Sequence, residues 1–184
     1  MVTNPVLAAA EEMPEHECQQ YHRHSHRRDA EHARSHPRQE SNQDIRGRSR
    51  EGMTTAAWRT PSGRVLLSDW TDDALREWYE IHRDDPVVLG VAAQALPSGK
   101  PLVKDFEGLK NEISRVRRQG LAVVDEKFEL GVVGVSAPVF DSRKSIIAAI
   151  NVSAPKSRFG SRLGEAGKIT IRVAAEVSQR LIAG

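Results

Sequence analysis

The chain has 184 residues and a formal net charge of +2, enough for one domain of ordinary size with some length to spare. That near-neutral balance excludes a polycation built to coat nucleic acid, and no apolar run approaches the eighteen or more residues of a membrane span. A single cysteine, Cys18, excludes an internal disulfide and suits a reducing cytoplasm, while the opening MVTNPVLAAAEEMPEHE has neither the basic leader nor the apolar core of a signal peptide.

The averages conceal a sharp division. Between residues 14 and 50 the only aliphatic side chain larger than alanine is Ile45 and the only aromatic is Tyr21, while six of the seven histidines fall within the first 36 residues. Such a stretch cannot bury enough apolar surface to offset its ordering entropy, about 1–2 kcal/mol per residue. Residues 1–50 are therefore expected to form a disordered His/Arg-rich arm, with the folded domain over 51–184. Within the arm, HRHSHRR places His22, His24 and His26 in alternation, which could wrap a divalent ion. It lacks cysteine partners, carboxylates at ligand spacing and a packed surround, so no metal or cofactor site is assigned.

From about Met53 the pattern changes. TPSGRVLLSDWTDDALREWYEIH groups Val65, Leu66, Leu67 and Trp70, then Leu75, Trp78, Tyr79 and Ile81. That predicts two short helices, the second capped by Thr71 with Asp72 and Asp73 in its first turn. VVLGVAAQALPSGKPL reads as an irregular connector. A third helix over 105–119 places Phe106, Leu109, Ile113 and Val116 on one face, and Gly120 fits its C-cap. Beyond Gly120 the apolar period drops to two, giving three strands: LAVVDEKF, GVVGVSAPVF and SIIAAINVSA. The last two form an antiparallel hairpin about a turn at 141–144. The closing GEAGKITIRVAAEVSQRLIAG is a packing helix with Ile169, Val173, Val177 and Leu181 at spacings of four. The fold class is α+β, an antiparallel sheet flanked by helices.

The hairpin holds an anomaly. Ser136, Asn151 and Ser153 stand where a purely structural strand pair would carry Val or Ile, and Pro138 interrupts the first strand, where it should mark an end or a bulge. Polar side chains on an apolar sheet face either satisfy neighbouring backbone groups or bind something.

GLAVVDEKFELGVVGVSAPVFD, the following AAINVSAP and the closing helix resemble the effector-binding domain of the IclR family of bacterial transcriptional regulators. Upstream, WRTPSGRVLLSDWTDDALREWY is similar to that family's Thr-Ala-x-Gly-Lys/Arg segment. The resemblance runs from about Arg50 to Leu181. It implies a GAF-like effector-binding domain, a small organic effector held between sheet and helices, homo-oligomers, and a cytoplasmic role in transcription regulation, without catalysis. Ser136, Asn151 and Ser153 would then line the pocket floor. The family's usual Asp or Ser is replaced by Val124, its usual Glu by Lys127, and its usual Cys, Ser or Ala by Gly134. Val124 and Gly134 thus remove two polar pocket contacts, which favours a larger, more apolar effector, such as an aromatic acid, over a small keto acid.

Residues 1–50 show none of the amphipathic helices a helix-turn-helix requires, so the domain is expected to be incomplete on its N-terminal side and to lack autonomous DNA binding. Two alternatives stand beside the sensor reading. One is an interaction module that pairs with an intact paralogue. The other is an enzyme, for which the folded part offers only His82 as imidazole, with Glu126 and Glu129 flanking a strand.

Overall fold

The computed structural model describes residues 57–83, 105–126 and 130–183, together with the backbone of two strands at 19–23 and 38–39. In chain order these are strands β1 (Gln19–Arg23) and β2 (Arg38–Gln39), and a 3-10 turn at Ala57–Arg59. Helices α1 (Pro61–Leu67), α2 (Asp72–His82) and α3 (Phe106–Gln119) follow. Strands β3 (Ala122–Asp125), β4 (Val132–Phe140) and β5 (Ile146–Pro155) lead to a short helix α4 (Lys156–Phe159) and the long α5 (Leu163–Ala183). The described strands form one antiparallel sheet in the order β2-β1-β5-β4-β3, and the α+β class read from the sequence is the observed one.

The helix signals act where the sequence places them. Thr71 Oγ1 accepts from Ala74 N at 3.2 Å and Asp105 Oδ1 from Gly108 N at 2.8 Å, each satisfying an otherwise orphaned N–H. Gly120 ends α3 at φ 61°, a left-handed position that a side chain would strain.

Four expectations are corrected. Two segments inside the expected arm, β1 and β2, are in the sheet: Gln20 lies opposite Asn151 and His22 opposite Ala149. Strand pairing is made by main-chain hydrogen bonds, which a count of apolar side chains does not register. The rest of residues 1–50, including His24 and His26, lies outside the described residues, as does the connector through 84–104. Pro138 marks neither an end nor a bulge. It pairs with Ala149 inside β4, and the register shift falls at Val139/Phe140. The β3 pairing stops opposite Ser136, so from there on β4 has no β3 neighbour to need its N–H. At its C-terminal end β3 stops at Asp125 and Glu126 is already a bend, short of the expected limit at Phe128; Lys127 and Phe128 themselves lie outside the described residues. Finally, the buried stripe of α5 is not a uniform step of four. It runs through Ala166, Thr170, Val173, Ala174, Val177 and Ser178, while Leu181 is exposed.

The sheet is covered on both faces. Val133, Val135, Ala137, Val139, Ile150, Val152 and Ala154 pack with Phe159, Ala166, Val173, Ala174 and Val177 beneath α5. The two polar residues of that stripe are satisfied locally: Thr170 Oγ1 donates to Ala166 O at 2.7 Å and Ser178 Oγ to Ala174 O at 2.7 Å. Ser178 Oγ also accepts from Phe140 N at 2.9 Å, tying α5 to the end of β4. On the opposite face lies α1, whose Val65 and Leu66 pack with Val116, Ala122 and Ala149. Each buried Val or Leu among these contributes about 1.5–3 kcal/mol. A third cluster of Ala57, Trp58, Leu67, Leu75, Trp78, Phe106, Leu109 and Ile113 joins α1, α2 and α3.

Candidate functional site

Directly opposed residues of an antiparallel sheet share a face, so the register decides which of the candidate residues meet. Val124 pairs with Gly134, and Gly134 with Ser153, forming one row across β3, β4 and β5. Ala122 pairs with Ser136, and Ser136 with Asn151, forming the next row on the same face. All five residues named from the sequence (Val124, Gly134, Ser136, Asn151 and Ser153) therefore come together, on the face beneath α1 rather than beneath α5. Period-two alternation made this grouping legible, because all the intervals within each strand are even.

The five positions are not equivalent. Ser136 is fully buried; its Oγ donates to Ile150 O at 2.8 Å and lies 3.4 Å from Ser62 Oγ. A hydroxyl with such partners is structurally satisfied. Val124 is buried and contributes only apolar surface. Gly134 is tightly covered: a Cβ there would stand 3.2 Å from Pro61 Cγ and 3.3 Å from Ser153 Cβ, so the family's usual larger residue would press on α1. Asn151 differs. It is 3% exposed, its Oδ1 has no hydrogen-bond partner, and its amide makes no side-chain hydrogen bond among the described residues. Ser153, half-buried in the adjoining row, is likewise without one. A buried carboxamide left in this state is costly.

The helix above this face is held by residues that apolar periodicity does not reveal. Thr60 caps α1, its Oγ1 accepting from Gly63 N at 3.0 Å. Gly63 packs so closely on the preceding turn that a side chain would collide with the Ala57 carbonyl. Arg64 is buried; its Nε donates to Trp58 O at 2.7 Å and its guanidinium to Glu112 Oε2 of α3 at 2.7 Å. Burial pushes the Arg64 pKa down and Glu112 opposes that, so the pair holds α1 against α3 as a charged strut. Arg59, one turn earlier, is equally buried, but its Nε has no partner. The sequence signal for this group was TPSGR, which marked the segment without assigning its residues to the site.

At the far end of the sheet, Lys156 Nζ lies 2.6 Å from Glu126 Oε2 and 2.8 Å from Asp125 Oδ1. Glu126 also accepts from Gly131 N at 3.0 Å. The Lys156 bond, then the Gly131 N–H, hold the Glu126 carboxyl below its ordinary pKa. This clasp ties the β3–β4 connection to the start of α4. Glu126 is thereby occupied; Glu129 lies outside the described residues. Among the described residues no group of three or more His, Cys, Asp or Glu is placed to hold a metal, and no helix is long and apolar enough to cross a membrane.

The family model for the bacterial transcriptional regulator IclR C-terminal domain matches residues 27–179. The chain belongs to the IclR family. The match starts ahead of Arg50, where the motif resemblance began. Over 102 residues, 55% of this chain and 31% of the relative, it is 34% identical to the Pca regulon regulatory protein of Pseudomonas putida. The chain thus spans about a third of the length of that curated relative. Two crystal structures share the fold. The IclR protein of Thermotoga maritima superposes with a TM-score of 0.73 at 22% identity, covering 96% of this chain and 65% of that one. The Agobacterium tumefaciens repressor BlcR gives 0.72 at 19% identity, with 98% and 68% covered. Within the family this chain is an IclR-type regulator C-terminal domain, and its curated relatives are transcriptional regulators.

Proposed function

We propose that this IclR-type domain is a small-molecule sensor, with its effector held between the β3–β4–β5 face and α1. The observation that carries the reading is Asn151, a buried carboxamide whose Oδ1 has no hydrogen-bond partner among the described residues, beside Ser153 and an already satisfied Ser136. Polar groups that converge in an apolar cleft fix a ligand's orientation. Val124 and Gly134 line the Ser153 row with apolar and minimal surface, which favours an aromatic or larger aliphatic effector over a small keto acid. Effector binding is transmitted through oligomers or by pairing with an intact family member, and exposed Ile171, Leu181 and Ile182 on α5 offer apolar surface for such pairing. The domain does not read DNA unaided, performs no catalysis, and works in the cytoplasm.

The test is a thermal-shift screen of aromatic and aliphatic acids against the wild type and the Asn151→Ala/Ser153→Ala double variant. Stabilisation of the wild type that is lost in the double variant supports the sensor. An interaction module predicts no stabilisation by any small molecule together with retained pairing to an intact paralogue, and that result would displace the sensor reading.

A further inference from the structure

Two arginines five positions apart enter α1, and both are almost wholly buried: Arg59 is 4% exposed and Arg64 2%. Arg64 has its carbonyl and its carboxylate. Arg59 has neither: its Nε is without a hydrogen-bond partner, and no acid among the described residues pairs with it. Its guanidinium carbon lies 6.0 Å from the Trp58 ring centroid, the outer limit of a cation–π contact, so the ring does not stand in for an anion. Burial lowers its pKa, yet a guanidinium keeps its proton in proteins. A charge buried without a counter-charge is strongly unfavourable, and Arg64 shows that this same segment can supply partners where an arginine is structural.

The location gives the missing partner a source. Two residues of chain, at most about 7 Å, carry Arg59 to Pro61, which covers Gly134. The next residue, Ser62, meets Ser136. Arg59 thus enters α1 where that helix lies over the rows containing the unpaired Asn151 amide. We propose that Arg59 is the charge-recognition residue of the effector site, taking the carboxylate of an organic acid in its planar fork. The inference deepens the sensor reading and rests on it. The guanidinium matches a carboxylate with two parallel N–H donors. The apolar remainder of the acid lies along the sheet face, with Asn151 available for a second polar contact.

The experiment measures thermal midpoints of the full chain and its Arg59→Met variant, alone and with benzoate, benzamide, hexanoate and hexanamide. Without ligand the variant should keep or raise the wild-type midpoint, because an apolar chain of similar reach replaces an uncompensated charge. With ligand, the wild type should favour an acid over its amide by about tenfold or more in apparent affinity, the value of one charge-assisted hydrogen bond. Arg59→Met should abolish that preference while still responding to the amide. A midpoint lowered by many degrees in the unliganded variant would make Arg59 structural and overturn the proposal. Equal response of the wild type to acid and amide, or a preference surviving in the variant, would overturn it while leaving the sensor reading intact. No response of the wild type to any of the four would remove both.

Discussion

Replacing Asn151 with valine isolates the free-energy cost of keeping a polar group in the β4–β5 face. The side chain is 3% exposed and its Oδ1 unpaired, and an unsatisfied buried polar group costs about 1–3 kcal/mol. Valine removes that cost, and its β-branched side chain suits a strand interior on a propensity scale spanning about 1 kcal/mol. Against this stands the extra volume under α1, where overpacking costs about 1–3 kcal/mol if the neighbours cannot move. The close approach of Pro61 to Gly134 falls in the adjoining row, so it does not bear directly on position 151. The expected net is a gain of about 1–2 kcal/mol, or roughly 3–10 °C in midpoint for a domain of this size. Urea denaturation with a shared slope would measure it, and the same variant should lose any acid-induced stabilisation. Such a gain in stability at the expense of function is the usual behaviour of binding sites. A loss of 1 kcal/mol or more, with ligand response intact, would refute the argument, because Asn151 would then be a structural residue.

Two further outcomes follow from the supports of the site. Arg64→Met removes one partner of Glu112, which keeps Arg115 at 3.3 Å, and frees the buried Trp58 carbonyl, so it should lower stability by about 1–3 kcal/mol; calorimetric unfolding would show it, and a cost under 1 kcal/mol would mean the strut is idle. For the Glu126 clasp the sign is fixed by a depressed folded pKa: its contribution is present above the unfolded pKa and is lost as pH falls through the folded one. Lys156→Met should therefore flatten that acid limb of the stability–pH curve, and an unchanged limb would show that another carboxylate sets it.

The helices, the three C-terminal strands and the grouping of the five site residues were legible because they rest on local codes. Capping by Thr71 and Asp105, the left-handed Gly120, and the two-residue spacing within strands, Gly134 to Ser136 and Asn151 to Ser153, all act within a few residues. What was hidden depends on partners distant in sequence. Strand β1 adheres through its backbone to β5 on one side and β2 on the other, and nothing in QQYHR reports those neighbours. Whether Ser136 is satisfied and Asn151 is not depends on Ile150 and Ser62, and the latter is 74 residues away from Ser136. Arg59 and Arg64 look alike in sequence and are separated by the Trp58 carbonyl and by Glu112, the latter 48 residues beyond Arg64.

The central claim, an effector seated between α1 and the β3–β5 face, is tested most directly by mapping where a ligand touches the folded chain. A benzoate titration followed by amide chemical shifts of the isotopically labelled protein should perturb residues 59–62, 134–136 and 151–153 together, with one shared dissociation constant, and leave the α5 face around Val173 and Val177 unmoved. Saturable shifts confined to α5, or no saturable shift at any of the nine amides expected to respond apart from Pro61, would contradict the account.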